Sequence, residues 1–161
     1  LLLIQISSSN KFSKNIEGVI LLDIKETIDK SYNIWFGMNS VYEMWAKKNN
    51  LTNNSLMTLY VISSLGLEAT PKQIIERLQL PKQTVNSTLN TLEKKGYLHR
   101  EQDTQNKRQK IIKLTESGKA FTDEILEALY QYEYQAYAQL SAQERIMLIS
   151  INEKLLKYLT I

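Results

Sequence analysis

The sequence contains no cysteine, one histidine, two prolines and five glycines. Without cysteine the chain has no disulfide, no thiolate metal site and no thiol redox switch, which suits a reducing compartment such as the cytoplasm. The single histidine, His99, cannot supply the several ligands that a metal site needs, so a structural role is expected for it, with no metal and no cofactor. No apolar run approaches the ~18 residues that span a bilayer, so no membrane partner is expected. The opening "LLLIQISSSN" has neither a basic segment before its apolar start nor a small-residue cleavage site, which argues against a signal peptide. No phosphate-binding glycine loop or nucleophile elbow occurs, and no other catalytic constellation stands out, so an enzyme is not expected.

What is present is a folded composition, 43% hydrophobic with 23% charged residues, in a length of 161 residues that fits one domain. Net charge is +3, but its distribution is uneven. Between Thr70 and Leu114 there are ten Lys and Arg against four acids, or +6, while the rest of the chain carries ten against thirteen, or −3. A basic segment on an acidic scaffold is the electrostatic footprint of a polyanion-binding module, although a lysine-rich solvated surface has the same composition.

Periodicity orders the chain as α-α-α-α-β-β-α-α. Leu21, Ile24, Ile28, Trp35, Met38, Tyr42 and Trp45 recur at helical spacing, predicting one long amphipathic helix from about Val19 to Lys48 with an irregularity near Gly37. Residues 1–17 are expected to form a tail or lead into it. "NNLTNNS" breaks that helix, and Thr52 or Asn53 caps a second one, which is followed by a connector, "GLEA". Thr70 and Gln73 match a capping box with Pro71 at the first helical position, opening a short helix to about Leu78. Pro81 starts the next helix, which Gly96 stops in left-handed conformation. Two short helices a few residues apart make a helix-turn-helix. "YLHREQ" and "QKIIKL" then alternate as strands joined by a turn over residues 103–107. Thr115 caps a long helix with apolar positions that include Ala120, Phe121, Ile125, Leu126, Leu129 and Tyr130. Ser141 with Glu144 opens the last, with Ile146, Ile149, Leu155, Leu156 and Leu159. The fold class is mainly α with a small β-hairpin wing.

In the helix after Pro81, Val85, Leu89 and Leu92 mark the buried stripe. The opposite face holds Gln83, Ser87, Asn90 and Lys94, flanked by Thr84, Asn86 and Thr91. It has no acid and a lysine near each end, Lys82 and Lys94. Amides and hydroxyls hydrogen-bond base edges in a major groove, and lysines hold phosphate. Thr70, Lys72, Arg100 and Lys110 add to the surface expected to meet DNA. Lys107 and Arg108 occupy the hairpin tip, which packs against nothing. Charges there either keep the loop soluble or reach outward, and a hairpin beside a helix in the major groove can enter the neighbouring minor groove. Asp103 is placed to orient Arg108 or to cap the turn.

At this point "LPKQTVNSTLNTLEKKGYLHREQDTQNKRQKIIKLTESGKAF", residues 80–121, resembles the winged helix-turn-helix of the MarR (multiple antibiotic resistance regulator) family. The recognition-helix stretch "TVNSTLNTLEKKGYL", the wing pattern "D-x-x-N-x-R" and "LTESGKAF" carry the likeness, and the flanking helices match in order and length. The resemblance implies a single domain over 1–161, with dimerisation helices at 18–50 and 116–161 around a DNA-binding part at 53–115. It also implies a homodimeric transcriptional regulator on double-stranded DNA, usually a repressor and often released by a small ligand. Gln83, Thr84, Asn86 and Ser87 match positions that meet the major groove, and Arg108 matches the wing arginine of the minor groove. Two departures stand out. Asn106 replaces an acid common in the wing, and no arginine stands near Ser87, Asn90 or Thr91, which points to an A·T-rich pseudo-palindromic operator.

Trp35, Tyr42, Trp45, Tyr60 and Tyr130 suit either a pocket for a small aromatic or amphipathic effector or plain core and dimer packing. Tyr134 and Tyr137 extend the same pattern. Asp123, Glu124 and Glu127 read as a solvated helix face rather than an acid–base pair. Two other functions are compatible with the chain: a winged-helix protein-interaction module and a non-specific architectural DNA-binding protein.

Overall fold

The computed structural model describes residues 23–104 and 109–160, together with the backbone of two short strands near the start, β1 (Asn15–Ile16) and β2 (Val19–Ile20). Contacts divide the chain into two compact units, Leu1–Trp45 and Ala46–Ile161.

The first unit holds β1 and β2, paired antiparallel, and most of helix α1 (Ile24–Lys48). The helix begins later than its apolar periodicity suggests, because Asp23 caps it: the Asp23 carboxylate accepts the Glu26 N–H at 2.7 Å. Val19 and Ile20, expected at the start of the helix, lie in β2 instead. No irregularity occurs at Gly37; the helix runs unbroken. Ile24, Ile28, Trp35 and Met38 are exposed rather than buried.

The second unit contains α2 (Asn53–Ser64), β3 (Glu68–Ala69), α3 (Pro71–Leu78), α4 (Lys82–Lys94), β4 (Leu98–Gln102), β5 (Lys110–Leu114), α5 (Glu116–Tyr137) and α6 (Ala142–Leu159). Local chemistry explains most of these bounds. The Thr52 hydroxyl accepts the Ser55 N–H at 3.1 Å, so Thr52 rather than Asn53 is the cap of α2. Thr70 and Gln73 form the reciprocal capping box of α3 with Pro71 inside it, and Ser141 and Glu144 form that of α6. Gly96, at φ 75°, closes α4: its N–H reaches the Glu93 carbonyl, and that of Tyr97 reaches Leu92 at 3.1 Å.

The three-stranded antiparallel sheet has the order β3-β5-β4. Its third strand corrects the expected connector "GLEA": Glu68 pairs with Lys113 and Ala69 with Ile112. Gly66 at φ 90° and Leu67 at φ 75° turn the chain from the end of α2 into β3. No local pattern announces a two-residue strand, because the partner that makes it one lies on β5.

The core lies between α2, α3, α4, the inner sheet face and the first half of α5. Leu56, Leu59, Ile62, Ile74, Val85, Leu89, Leu92 and Ile112 are fully buried in it. On α5 the buried row is Gly118, Thr122, Ile125 and Leu129, whereas Ala120 and Tyr130, expected in that stripe, are exposed. Among its described residues α6 buries none. No helix among the described residues is long and apolar enough to cross a membrane.

Candidate nucleic-acid interface

Helix α4 stands on Val85, Thr88, Leu89 and Leu92, all buried. This anchoring turns Lys82, Gln83, Asn86, Ser87, Asn90, Thr91 and Lys94 outward, all exposed, with Thr84 half-buried at the margin. Pro81 precedes the helix and no side chain caps it, and its first turn carries no acid. The outward face is therefore one of neutral donors and acceptors between two cations. On the neighbouring helix, Lys72 is exposed and pairs loosely with Glu76 at 3.7 Å. Thr70 spends its hydroxyl within the α3 capping box, where it accepts the Gln73 N–H and donates to Gln73 Oε1.

Arg100 is placed differently from the expectation that it reaches DNA. Its guanidinium forms an ion pair with Glu93 and donates to Asn90 Oδ1 at 2.8 Å. The side chain is only 19% exposed. It therefore ties β4 to α4 and holds the Asn90 amide in one orientation. The signal was present in the strand alternation, since Arg100 is two residues from Leu98 and must share its inward face. At the other end of α4, Lys95 donates to the Asn50 carbonyl at 2.8 Å, fastening the helix to the turn before α2.

Beyond Gln102 the hairpin continues through an Asp103 N–H to Gln109 carbonyl bond of 3.0 Å. Lys107, Arg108 and Asn106 lie outside the described residues, and Lys110, at the start of β5, is exposed. Asp103 is half-buried at the wing. On the outer sheet face, Lys113 reaches Glu101 at 2.9 Å and Glu68 at 3.5 Å, while His99 meets Glu101 at 2.8 Å. This row crosses all three strands. The Lys113 ammonium, and then His99, hold the Glu101 carboxyl below its ordinary value, and Glu101 raises Lys113 above its own. Glu101 thus stabilises the fold fully above the carboxyl's unfolded value, and that share is lost as pH falls through its depressed folded value. The Lys113 share is present below the unfolded lysine value and disappears as pH rises through the raised one. Glu101→Gln should accordingly flatten the acid limb of a urea-midpoint-against-pH curve. An acid limb identical to wild type would remove Glu101 from it.

The other candidates are scattered. Asp123 pairs with Lys119 at 2.6 Å on an exposed face, and Glu124 and Glu127 are exposed. Among the described residues no group of histidine and carboxylates is arranged to hold a metal. In the first unit Trp35 is exposed and Tyr42 and Trp45 half-buried; in the second, Tyr60 and Tyr130 are exposed.

Residues 49–109 match the model of the MarR family. The HTH-type transcriptional regulator PrsX of Escherichia coli is 31% identical over 104 residues, which cover 65% of this chain and 61% of that protein. The chain thus spans about three fifths of the length of this curated relative. Among solved structures, NMB1585, a MarR family regulator from Neisseria meningitidis, is similar with a TM-score of 0.71 at 25% identity, covering 83% of this chain and 93% of that one. The S. aureus MepR–DNA complex is similar with a TM-score of 0.71 at 26% identity, covering 83% and 98%.

Proposed function

We propose that the chain is a MarR family member, whose family model residues 49–109 match, and that it is a sequence-specific, DNA-binding transcriptional regulator acting as a homodimeric repressor. The observation that carries this reading is the outward face of α4: amides and hydroxyls from Gln83 to Asn90, no acid, and Lys82 and Lys94 at its ends. Such a face offers hydrogen bonds to base edges and cations to phosphate. With no arginine on it, guanine has no bidentate partner there, which favours an A·T-rich operator. Lys107 and Arg108 at the wing tip are assigned to the adjacent minor groove. The unburied apolar face of α6 supports dimerisation through the terminal helices. A two-fold dimer then requires a pseudo-palindromic site with half-sites about 10 bp apart. Release from DNA by a small aromatic or amphipathic effector belongs to the same reading. The relatives are named as regulators rather than enzymes, and the compartment that fits this role is the cytoplasm.

The test is fluorescence anisotropy of the protein on DNA from its own upstream region against a shuffled duplex, at about 150 mM salt, where non-specific binding is weak. Preference for the native duplex at two chains per site is the expected result. Equal and tight binding to both would sink the sequence-specific reading in favour of an architectural one. On the same complex, Lys82→Ala should weaken binding across sequences and lower the slope of log K against log salt by about one. A slope unchanged from wild type would mean that Lys82 neutralises no phosphate.

A further inference from the structure

A cleft of about 670 Å³ opens between the first turn of α2 and one side of α4, lined from α2 by Thr52, Asn54 and Ser55 and from α4 by residues that include Gln83, Thr84 and Ser87. No charged side chain lines it. Its back wall is committed: Ser55 and Thr88 are buried, Thr88 donates to the Thr84 carbonyl at 3.0 Å, and the Thr52 hydroxyl donates to Ser55 Oγ at 3.0 Å. Its mouth is uncommitted. Among the described residues, the side chains of Asn54, Gln83, Thr84 and Ser87 have no hydrogen-bond partner within the protein. Two amides and two hydroxyls from two elements therefore converge on one recess with their donors unspent. Three of the four belong to the face assigned to the major groove, so whatever fills the recess lies against DNA held by that face.

We infer that this cleft receives a backbone phosphodiester of the bound DNA, with Asn54 of α2 as a DNA contact alongside Gln83, Thr84 and Ser87 of α4. Phosphate oxygens are acceptors only, each free group in the recess has an N–H or O–H to donate to them, and hydroxyls and amides are regular phosphate partners. The absence of acid on its walls leaves nothing to repel the anion. The inference rests on the DNA-binding reading above and extends the interface from α4 to the first turn of α2. It also separates two kinds of phosphate contact. Lys82 acts through charge and releases a counterion; Asn54 acts through a neutral hydrogen bond and releases none.

The experiment measures anisotropy on native and shuffled duplexes across a salt series, with wild type, Asn54→Ala and Asn54→Asp. Asn54→Ala should bind both duplexes about ten-fold more weakly, as expected for losing a hydrogen bond to a charged group, with the salt slope unaltered. Asn54→Asp places an anion against the phosphate and should lose more. An acid in the first turn favours the helix, so its thermal midpoint should hold or rise, and unfolding cannot explain the loss. Replacing backbone phosphates one at a time by methylphosphonate should reveal one position per half-site where the loss is larger for wild type than for Asn54→Ala, and an equal loss in both at every position would overturn the Asn54 contact. Asn54→Asp binding as tightly as wild type, or a loss restricted to the native duplex, would overturn the phosphate site while leaving the DNA-binding reading intact. Wild type binding neither duplex at about 50 mM salt, where non-specific binding is strong, would overturn both.

Discussion

Leu155→Glu should leave a folded chain that no longer dimerises and binds its operator about 10²–10⁴-fold more weakly. The expectation follows from α6, an 18-residue helix with a capping box at its start and no buried residue. Ile149, Ile151, Leu155, Leu156 and Leu159 are each at least half exposed, and Leu155 projects near the centre of the broad apolar face. A helix of this kind is stable when its face is covered, and a second copy offers the same face in return. A carboxylate at the centre of that contact would be buried without a partner, which an interface cannot accommodate. Because Leu155 contributes nothing to the core around α2 and α4, the winged part should keep its own stability. Operator binding falls because two half-sites are then engaged by separate molecules, and the gain from linking them disappears. Sedimentation equilibrium with circular dichroism checks both halves of the expectation. A variant that sediments as a dimer would show that α6 is covered by something other than its copy.

Gly118→Ala should lower the stability of the Ala46–Ile161 unit by about 3 kcal/mol, near the upper end of what overpacking costs. A Cβ at Gly118 falls on the backbone carbonyl of Tyr97, its nearest neighbours being the oxygen, the carbonyl carbon and Cα of that residue. Backbone cannot step aside as a flexible side chain would. The approach is close because the start of α5 is docked on the end of α4. Thr115 donates its N–H to the Tyr97 carbonyl at 3.1 Å and its hydroxyl to the Gly96 carbonyl at 2.6 Å. The Tyr97 and Phe121 rings stack beside that contact at 4.3 Å. The methyl group therefore forces apart the junction that carries both α4 and the β4–β5 hairpin. Gly37→Ala is the control, since a Cβ there meets nothing within 4 Å, and it should stabilise α1 by roughly 0.5–1 kcal/mol. Urea midpoints of the two variants distinguish steric overlap from a general effect of losing glycine. Equal shifts of the same sign would refute the clash at Tyr97.

How far the sequence went depended on how local each determinant was. The caps of Thr70, Thr115 and Ser141, the stop at Gly96 and the buried stripe Val85–Leu89–Leu92 each depend on partners within one or two turns. Spacing alone is enough for these, and the structure places them where the spacing does. The start of α1 was legible too, in Asp23 three residues before Glu26, but the apolar run through Val19 and Ile20 masked it. Strand alternation likewise contained the inward direction of Arg100, which a count of basic residues assigned to DNA.

What the tertiary structure alone decided are the contacts made across the chain. The two residues of β3 are a strand only because β5 lies beside them. Gly118 is required only because the end of α4 comes within touching distance of α5. Lys95 is fastened to Asn50, and Asn54 is brought opposite Thr84 and Ser87, by the packing of α2 against α4. None of these leaves a period or a short motif, since each depends on residues far apart in sequence that meet when a shared hydrophobic core closes. By itself the sequence determined helices α1 to α6, the β4–β5 hairpin and which face of α4 turns outward. The closing of the core decided which polar groups on that face were spent within the protein and which were left free.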